Sequence, residues 1–276
     1  MIPFYPVAAV PCPVMTSCSR FHGRLAAILI ILLGPLTAGA GEKSCEVAVN
    51  VEVTDLGKKI AVPDRAHPAY YLPVVGGFRE EGAVKAGEKA PERLTVLHQL
   101  AKTLAAQGYL VVGPKTPPPS VLLAFHWGSM NPQTDDFGEI GESQKITYNQ
   151  RAMISLVAGH TLNNVDQWSE REAIIQGAED DRYFVVVSAY DFDAAQKHQK
   201  VLLWRAKMST PSAGFAMEDV VAALITGGGP HFGRETLRPA WETTPLENRG
   251  KVNLGELQVK EYLEPAKNPA PPSKNP

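Results

Sequence analysis

The predicted fold depends on one stretch, RYFVVVSAYDFDAAQKHQKVLLWRAKMS, which spans Arg182–Ser209. It contains two apolar runs, Tyr183–Tyr190 and Val201–Ala206, rich in the β-branched and aromatic residues that favour strands. Successive side chains of a strand face opposite ways, and both faces of the first run are apolar. The joining segment Asp191–Lys200 is polar and long for a tight turn. We therefore predict an antiparallel hairpin near the middle of a sheet covered on both sides, with a buried helix as the competing interpretation.

Four segments outside this hairpin have helical periodicity or helix-terminating residues. They are Pro91–Gln107, Ile146–Ala158, Asp166–Gln176 and Met217–Ile225. In the first, an apolar stripe is predicted from the residues Leu94, Leu97, Ala101 and Leu104. Gly108 follows this helix and suits the position just past a helix end.

Four further segments are predicted to be strands. Glu46–Thr54 alternates valine with mostly polar residues, which indicates one buried and one solvated face. Ala69–Val75 contains Pro73, which places it at a sheet edge or at a bulge. Tyr109–Val112 and Val121–Trp127 flank a proline-rich connection, and we expect them to form a hairpin.

Helices in this order follow pairs of strands, which favours an α+β fold over a doubly wound parallel sheet. We predict one α+β domain over residues 41–264, with a mostly antiparallel sheet and helices packed on it. Pro91–Met130 and Asp166–Met208 both run helix, strand, strand, so a duplicated helix–strand–strand unit is an additional hypothesis. Residues 265–276, PAKNPAPPSKNP, are predicted to be a disordered tail.

The start of the chain has the composition of an export signal. Arg20 and Arg24 precede the apolar run Leu25–Ala38, and small residues lead up to Ala40. We predict that residues 1–40 are a signal peptide cleaved after Ala40, with Met15 as an alternative start. The mature protein would then be periplasmic or extracellular.

A retained anchor is the alternative interpretation of this leader. Phe21–Ala40 has about the ~20 residues that a bilayer-spanning helix needs. The protein would then be anchored in the inner membrane with its globular domain outside the cytoplasm. Contact with a membrane is expected only in this case.

Charge and cysteine content argue against nucleic-acid binding and against an internal disulfide. The 276 residues include 27 Lys and Arg against 29 Asp and Glu, a net charge of -2. Nucleic acid is therefore not an expected partner, because phosphate binding needs a basic surplus. Of the three cysteines, only Cys45 would remain after cleavage, which precludes an internal disulfide in the mature monomer. We interpret it as a buried or idle thiol, with lipidation as the alternative.

The sequence contains few groups that suggest chemistry. Asp191 and Asp193 follow a predicted strand and could bind a divalent cation, although aspartates there also cap turns. His126 lies beside Trp127 on a predicted strand and is the histidine most suited to a ligand or catalytic role. No G-x-S-x-G motif occurs, and Gly227–Gly229 follows a helix instead of preceding one. We predict no cofactor and no metal, and the catalytic residues of any activity stay unknown.

Several short patterns resemble those of a bacterial family. They are Tyr190-Asp191 at a strand end, Leu203-Trp204 on the next strand, Leu104–Tyr109 and Val121–Phe125. Together they resemble uncharacterised exported or lipoprotein-type envelope proteins, from which the chain departs by having no lipobox cysteine. The resemblance implies an envelope protein without assigned activity.

These observations favour an exported envelope protein with a non-enzymatic binding or assembly role, and an envelope protein as its partner. Two alternatives stay open. One is an exported hydrolase or metal-dependent enzyme built from His126, Asp191 and Asp193, which requires these residues to converge around a pocket. The other is a small-ligand carrier, which requires a deep cavity.

Overall fold

The computed structural model describes residues 43–85, 87–137 and 144–246, which all belong to the unit formed by residues 41–276. The predicted signal peptide, its cleavage after Ala40 and the predicted tail at residues 265–276 lie outside the described residues. Among the described residues, no helix is long and apolar enough to cross a bilayer.

The described residues form strands, α-helices and short 3₁₀ turns. The strands are β1 (Ser44–Val53), β2 (Ala69–Gly82), β3 (Tyr109–Val111), β4 (Val121–Asn131), β5 (Thr134–Phe137), β6 (Gln144–Thr147), β7 (Arg182–Asp191), β8 (Leu202–Pro211) and β9 (Ala240–Pro245). The α-helices are α1 (Arg93–Ala106), α2 (Gln150–Val157), α3 (Trp168–Ala178), α4 (Phe192–Gln196) and α5 (Met217–Gly228). The 3₁₀ turns are Gly57–Lys59, Gly159–Asn164 and Gly229–His231.

Seven strands make one mixed sheet in the order β3-β2-β4-β7-β8-β1-β9, and β5 pairs with β6 separately. Four neighbouring pairs are antiparallel, whereas β2 runs parallel to both β3 and β4. The predicted α+β fold with a mostly antiparallel sheet and packed helices is confirmed. The predicted central hairpin is also confirmed, because β7 and β8 pair antiparallel with Val185 opposite Met208.

The two faces of the sheet are covered unequally. Helices α1 and α5 pack on the first face, where alternate residues of β1, β4, β7 and β8 form the largest core cluster. The helix predicted at Met217–Ile225 is confirmed as α5, and its apolar stripe is buried there: Met217, Val220, Val221, Leu224 and Ile225. On the second face, α2 packs against Met130, Phe184 and Val186. Residues of α3 form a separate core cluster with Ala48 of β1 and the end of α2.

The sequence prediction for β3 and β4 was wrong. They do not pair as a hairpin, because each lies parallel to β2 on opposite sides of it. The connection between them contains Pro117–Pro119, and it joins the two sides of β2 near the beginning of that strand, since Val111 and Val121 both lie level with Tyr71. In the second helix–strand–strand segment, by contrast, β7 and β8 pair directly.

The predicted edge position of β2 is confirmed in part. β3 covers only the beginning of β2, pairing with residues Ala69–Tyr71, and from Leu72 onward β2 pairs with β4 alone among the described strands. The register shifts between Val75 and Gly77, so β2 also contains a bulge, the other feature that Pro73 predicts.

Two predicted faces are confirmed only in part. In the predicted stripe of α1, Leu104 is buried and Leu97 packs against the core, but Leu94 is 61% exposed; Val96 and Leu100 complete the buried face. The predicted solvated face of β1 is covered at Asn50, which is 3% exposed because α2 and the turn that follows it pack there.

Candidate functional site

The two aspartates proposed as metal ligands lie at the beginning of α4. Asp191 ends β7, and its Oδ1 accepts a hydrogen bond from the backbone N–H of Ala194 at 2.7 Å, so it caps the helix. Asp193 is exposed in the first turn. Both line a cavity of about 320 Å³ together with Tyr109 and Trp204. Within the described ranges, no three His, Cys, Asp or Glu side chains are grouped as a metal ion requires.

His126 lies elsewhere, on the second face of the sheet. Its ring meets the ring of Phe184 edge-on, with 5.9 Å between the centroids. It lines a different cleft, which neither Asp191 nor Asp193 lines. The structure therefore does not bring the three predicted residues together. The described residues thus lack the convergence that the enzyme alternative required.

Cys45 is buried on β1, as expected for an idle thiol. It is 3% exposed and carries no disulfide. Burial raises the pKa of its thiol, which keeps it protonated and a poor nucleophile.

Part of the second face is left open at one end of the sheet. Five side chains there face away from the main core, and we call them the open face: Leu72, Val74, Leu122, Ala124 and Tyr190. Leu72 pairs in register with Leu122, and Val74 with Ala124, so the four lie side by side. Leu72 is 39% and Val74 is 44% exposed, whereas the β4 residues that face the other way, Val121, Leu123 and Phe125, are buried.

Beside the open face lies a cleft with an excess of positive charge. We call it the cationic cleft, and its volume is about 450 Å³. Its charged residues are three cations, Arg79, Arg205 and Lys207, and one carboxylate, Glu81; the other polar residues are His126, Ser155, Ser188 and Tyr190. None of its Arg or Lys side chains forms an ion pair with a carboxylate of the described residues. Cations that are partly removed from water without a partner attract anions more strongly than exposed ones do.

Hydrogen bonds hold two of these cations in place. The Arg205 Nε–H donates to Ser188 Oγ at 3.1 Å across the central hairpin. The Lys207 ammonium donates to the carbonyl oxygen of Ser155 at 2.9 Å and to its Oγ at 2.8 Å, which ties β8 to α2. These bonds fix the direction of both side chains towards the cleft.

The positive field is reflected in two pKa values. Burial lowers the pKa of Lys207, and neighbouring Arg205 lowers it further. Burial, followed by the charges of Arg79 and Arg205, lowers the pKa of His126 to about 4. His126 is therefore neutral at pH 7, and the positive charge of the cleft comes from the arginines and the lysine.

The sequence contained a signal for this cleft that the prediction did not use. In β8, Trp204, Ala206 and Met208 are buried in the main core, whereas Arg205 and Lys207 alternate with them. Such a strand is apolar on one face and cationic on the other. Because a central strand is expected to be covered on both faces, and buried lysines and arginines are rare, the cations indicate a polar site on the second face.

Comparison with known proteins shows no family. No protein-family model matches the sequence, and no curated protein matches it. Among solved structures, a dodecameric point variant of PelC from Paraburkholderia phytofirmans is 9% identical with a TM-score of 0.30, covering 69% of this chain and 98% of that one. A second PelC dodecamer from the same organism is 10% identical with a TM-score of 0.29, over the same shares of the two chains. Likeness of this degree carries no conclusion on fold or function.

Proposed function

We propose that this is an exported envelope protein with a non-enzymatic binding role, and that a partner protein docks on the open face. The observation that supports the proposal is the uncovered apolar end of the second sheet face, where Leu72 and Val74 are exposed next to the cationic cleft. Burying exposed apolar area contributes about 25 cal/mol per Å², so a covering segment would gain stability from it.

The chemistry of the surface selects the partner segment. Apolar side chains would cover Val74 and Ala124, and carboxylates would meet Arg79, Arg205 and Lys207 at one side. The proposed occupant is therefore an acidic amphipathic segment of another envelope protein.

The face suits docking better than the free edge of β2. The carbonyl oxygen of Tyr71 accepts a hydrogen bond from the Val112 N–H on the β3 side of β2. The backbone N–H and C=O groups of residues two apart on a strand point to the same edge of that strand. The nitrogen of Pro73 therefore faces the free edge without a hydrogen to donate, and the bulge after Val75 interrupts the edge further. Both features are devices by which proteins prevent strand addition.

The export part of the proposal rests on residues 1–40, whose arginines, apolar run and small residues suit cleavage after Ala40. A periplasmic or extracellular location follows from cleavage, and an inner-membrane anchor is the alternative if the leader is retained. The duplicated helix–strand–strand unit also stays a hypothesis, supported by the shared element order of Pro91–Met130 and Asp166–Met208.

Site-specific photocrosslinking in the native envelope tests this proposal. A photoreactive phenylalanine analogue replaces Val74 on the open face, and in a control protein it replaces Leu94 of α1, which is 61% exposed on the other side of the sheet. We expect a crosslink from position 74 that is absent from position 94 and maps to an apolar segment with flanking carboxylates. We also expect N-terminal sequencing of the recovered protein to begin at Gly41.

Each part of the proposal has its own contradicting result. Crosslinks from position 74 to a second copy, to another part of this chain or to lipid would overturn the proposed partner. Equal crosslinking from positions 74 and 94 would overturn the open face as the site. An N-terminus upstream of Arg20 would overturn cleavage.

A further inference from the structure

A second, more polar pocket adjoins the cationic cleft between β1, β8 and α2. We call it the polar pocket; its volume is about 320 Å³, and its lining includes Asn50, Arg151, Ser155, Gly159 and Lys207. It shares Ser155, Arg205 and Lys207 with the cationic cleft but none of the open-face residues. Its volume lies at the lower end of the range for small-ligand sites, about 300 Å³.

The ammonium of Lys207 has bonding capacity left in this pocket. It donates to the carbonyl oxygen and to the Oγ of Ser155, and an ammonium has three N–H groups. No carboxylate of the described residues pairs with it. The remaining N–H is therefore free to donate to an oxyanion.

Asn50 supplies an independent sign of a missing ligand. Its side chain is 3% exposed, yet its Oδ1 has no hydrogen-bond partner in the described part of the chain. Its Nδ2 reaches only the carbonyl oxygen of Ser155, at 3.5 Å. Buried side-chain oxygens are nearly always satisfied, so an unpaired one that lines a pocket indicates a ligand that donates a hydrogen bond.

Gly159 gives this amide room beside the pocket. A Cβ at position 159 would lie 2.3 Å from Asn50 Nδ2, and the backbone there has a φ of +55°. Any other residue would collide with the amide and would also strain the backbone.

The charge of the lining determines which ligand fits. Arg151, Arg205 and Lys207 contribute three cations, and the lining contains one carboxylate, that of the exposed Glu52. A metal ion or an organic cation would be repelled by this set, and a purely apolar molecule would leave the Asn50 oxygen unpaired. An anion that also donates a hydrogen bond satisfies both requirements.

We propose that the polar pocket binds a small hydroxylated oxyanion, a carboxylate or phosphate carried on a sugar or polyol. The oxyanion accepts from Lys207 and from the arginines at the mouth of the pocket, and a ligand hydroxyl donates to Asn50 Oδ1. This inference does not depend on whether a partner protein docks on the open face.

Titration calorimetry of the purified protein with four probes tests the inference: glucose 6-phosphate, glucuronate, inorganic phosphate and glucose. We expect saturable binding of glucose 6-phosphate or glucuronate, weaker binding of inorganic phosphate, and no binding of glucose. The first two probes also distinguish a phosphate ligand from a carboxylate ligand. Failure of both to bind, or equal binding of glucose, would overturn the inference.

Variants locate the binding. Lys207→Met and Asn50→Asp are each expected to weaken binding at least tenfold, the first by removing a cation and the second by adding a negative charge. Lys102→Met serves as the matched control, because Lys102 is exposed on α1 and does not line the pocket. Unchanged affinity in both pocket variants would overturn the assignment.

A measurement on the unmutated protein covers the case in which a pocket variant does not fold. The side-chain amide resonances of Asn50 and the Ser155 backbone resonance are followed by NMR during titration with the tighter probe. We expect both to shift with the affinity measured by calorimetry. Shifts confined to other parts of the chain would place the anion elsewhere and overturn the proposed pocket.

Discussion

Replacing Gly128 by alanine is expected to cost about 3 kcal/mol of the free energy of unfolding, the upper end of what overpacking a core costs. Gly128 lies on β4 directly opposite Arg79 of β2. A Cβ there would lie 1.7 Å from the carbonyl oxygen of Arg79 and 2.7 Å from its carbonyl carbon. Because the obstacle is backbone, the two strands must move apart at this point, which weakens the pairing of β2 with β4 around Arg79. Denaturant unfolding followed by circular dichroism measures the loss.

Gly177→Ala is the matched control. Gly177 is in α3, and a Cβ there would meet no heavy atom within 4 Å. Within a helix, alanine is more favourable than glycine by up to about 1 kcal/mol, so this variant is expected to be as stable as the natural protein or more stable. If Gly128→Ala unfolded at the same denaturant concentration as the natural protein, the close parallel pairing of β2 with β4 would be refuted.

The same pairing shows what the sequence could not provide. The hairpin at Arg182–Ser209 was predictable because its two strands are neighbours along the chain and both are strongly apolar. The partners of β2 are not fixed by local periodicity, since β4 begins 39 positions beyond Gly82 and the intervening segment contains α1 and β3. A signal was nevertheless present: a single strand, a helix and a strand in succession is the order of a parallel β–α–β unit, which β2, α1 and β3 form.

Helix faces were predictable only where one face dominates. The α5 stripe from Met217 to Ile225 offers a single apolar face, and all of it is buried. In α1, leucines lie on more than one face, and contact with α5 selects Val96 and Leu100 while Leu94 stays 61% exposed. Trp168 at the beginning of α3 is 75% exposed for a similar reason, because the short helix turns Ile174 towards the core.

The candidate site was predictable in part. His126 was selected from the sequence and lines the cationic cleft. The charges that surround it come from β2, which lies beside β4, and from β8, which lies two strands away, and they come together only after the sheet has formed. Asp191 and Asp193 were selected for their position after a strand, and that position equally suits a helix cap, which is what Asp191 forms. Spacing along the chain could not distinguish these two roles.

The pKa of His126 predicts how stability depends on pH. Its folded-state pKa of about 4 lies below the ordinary value of 6.5, so between these two values the unfolded chain binds a proton that the folded protein does not. The contribution of neutral His126 to the free energy of unfolding is therefore fully present above pH 6.5, and it is lost as the pH decreases towards 4. Burial is the main cause that opposes protonation in the folded state, and the charges of Arg79 and Arg205 add to it. Lys207 and one carboxylate, Glu81, line the same cleft. For a half-buried ring partly screened by solvent, the loss is expected to be about 2 kcal/mol.

His126→Gln removes this titration while keeping a polar side chain in the cleft. Unfolding free energies at about pH 7 and about pH 4.5 are expected to differ by about 2 kcal/mol less in this variant than in the natural protein. His98→Gln is the control, because His98 is exposed on α1 and does not line the cationic cleft. An identical pH dependence in His126→Gln and the natural protein would show that the cleft does not hold His126 neutral.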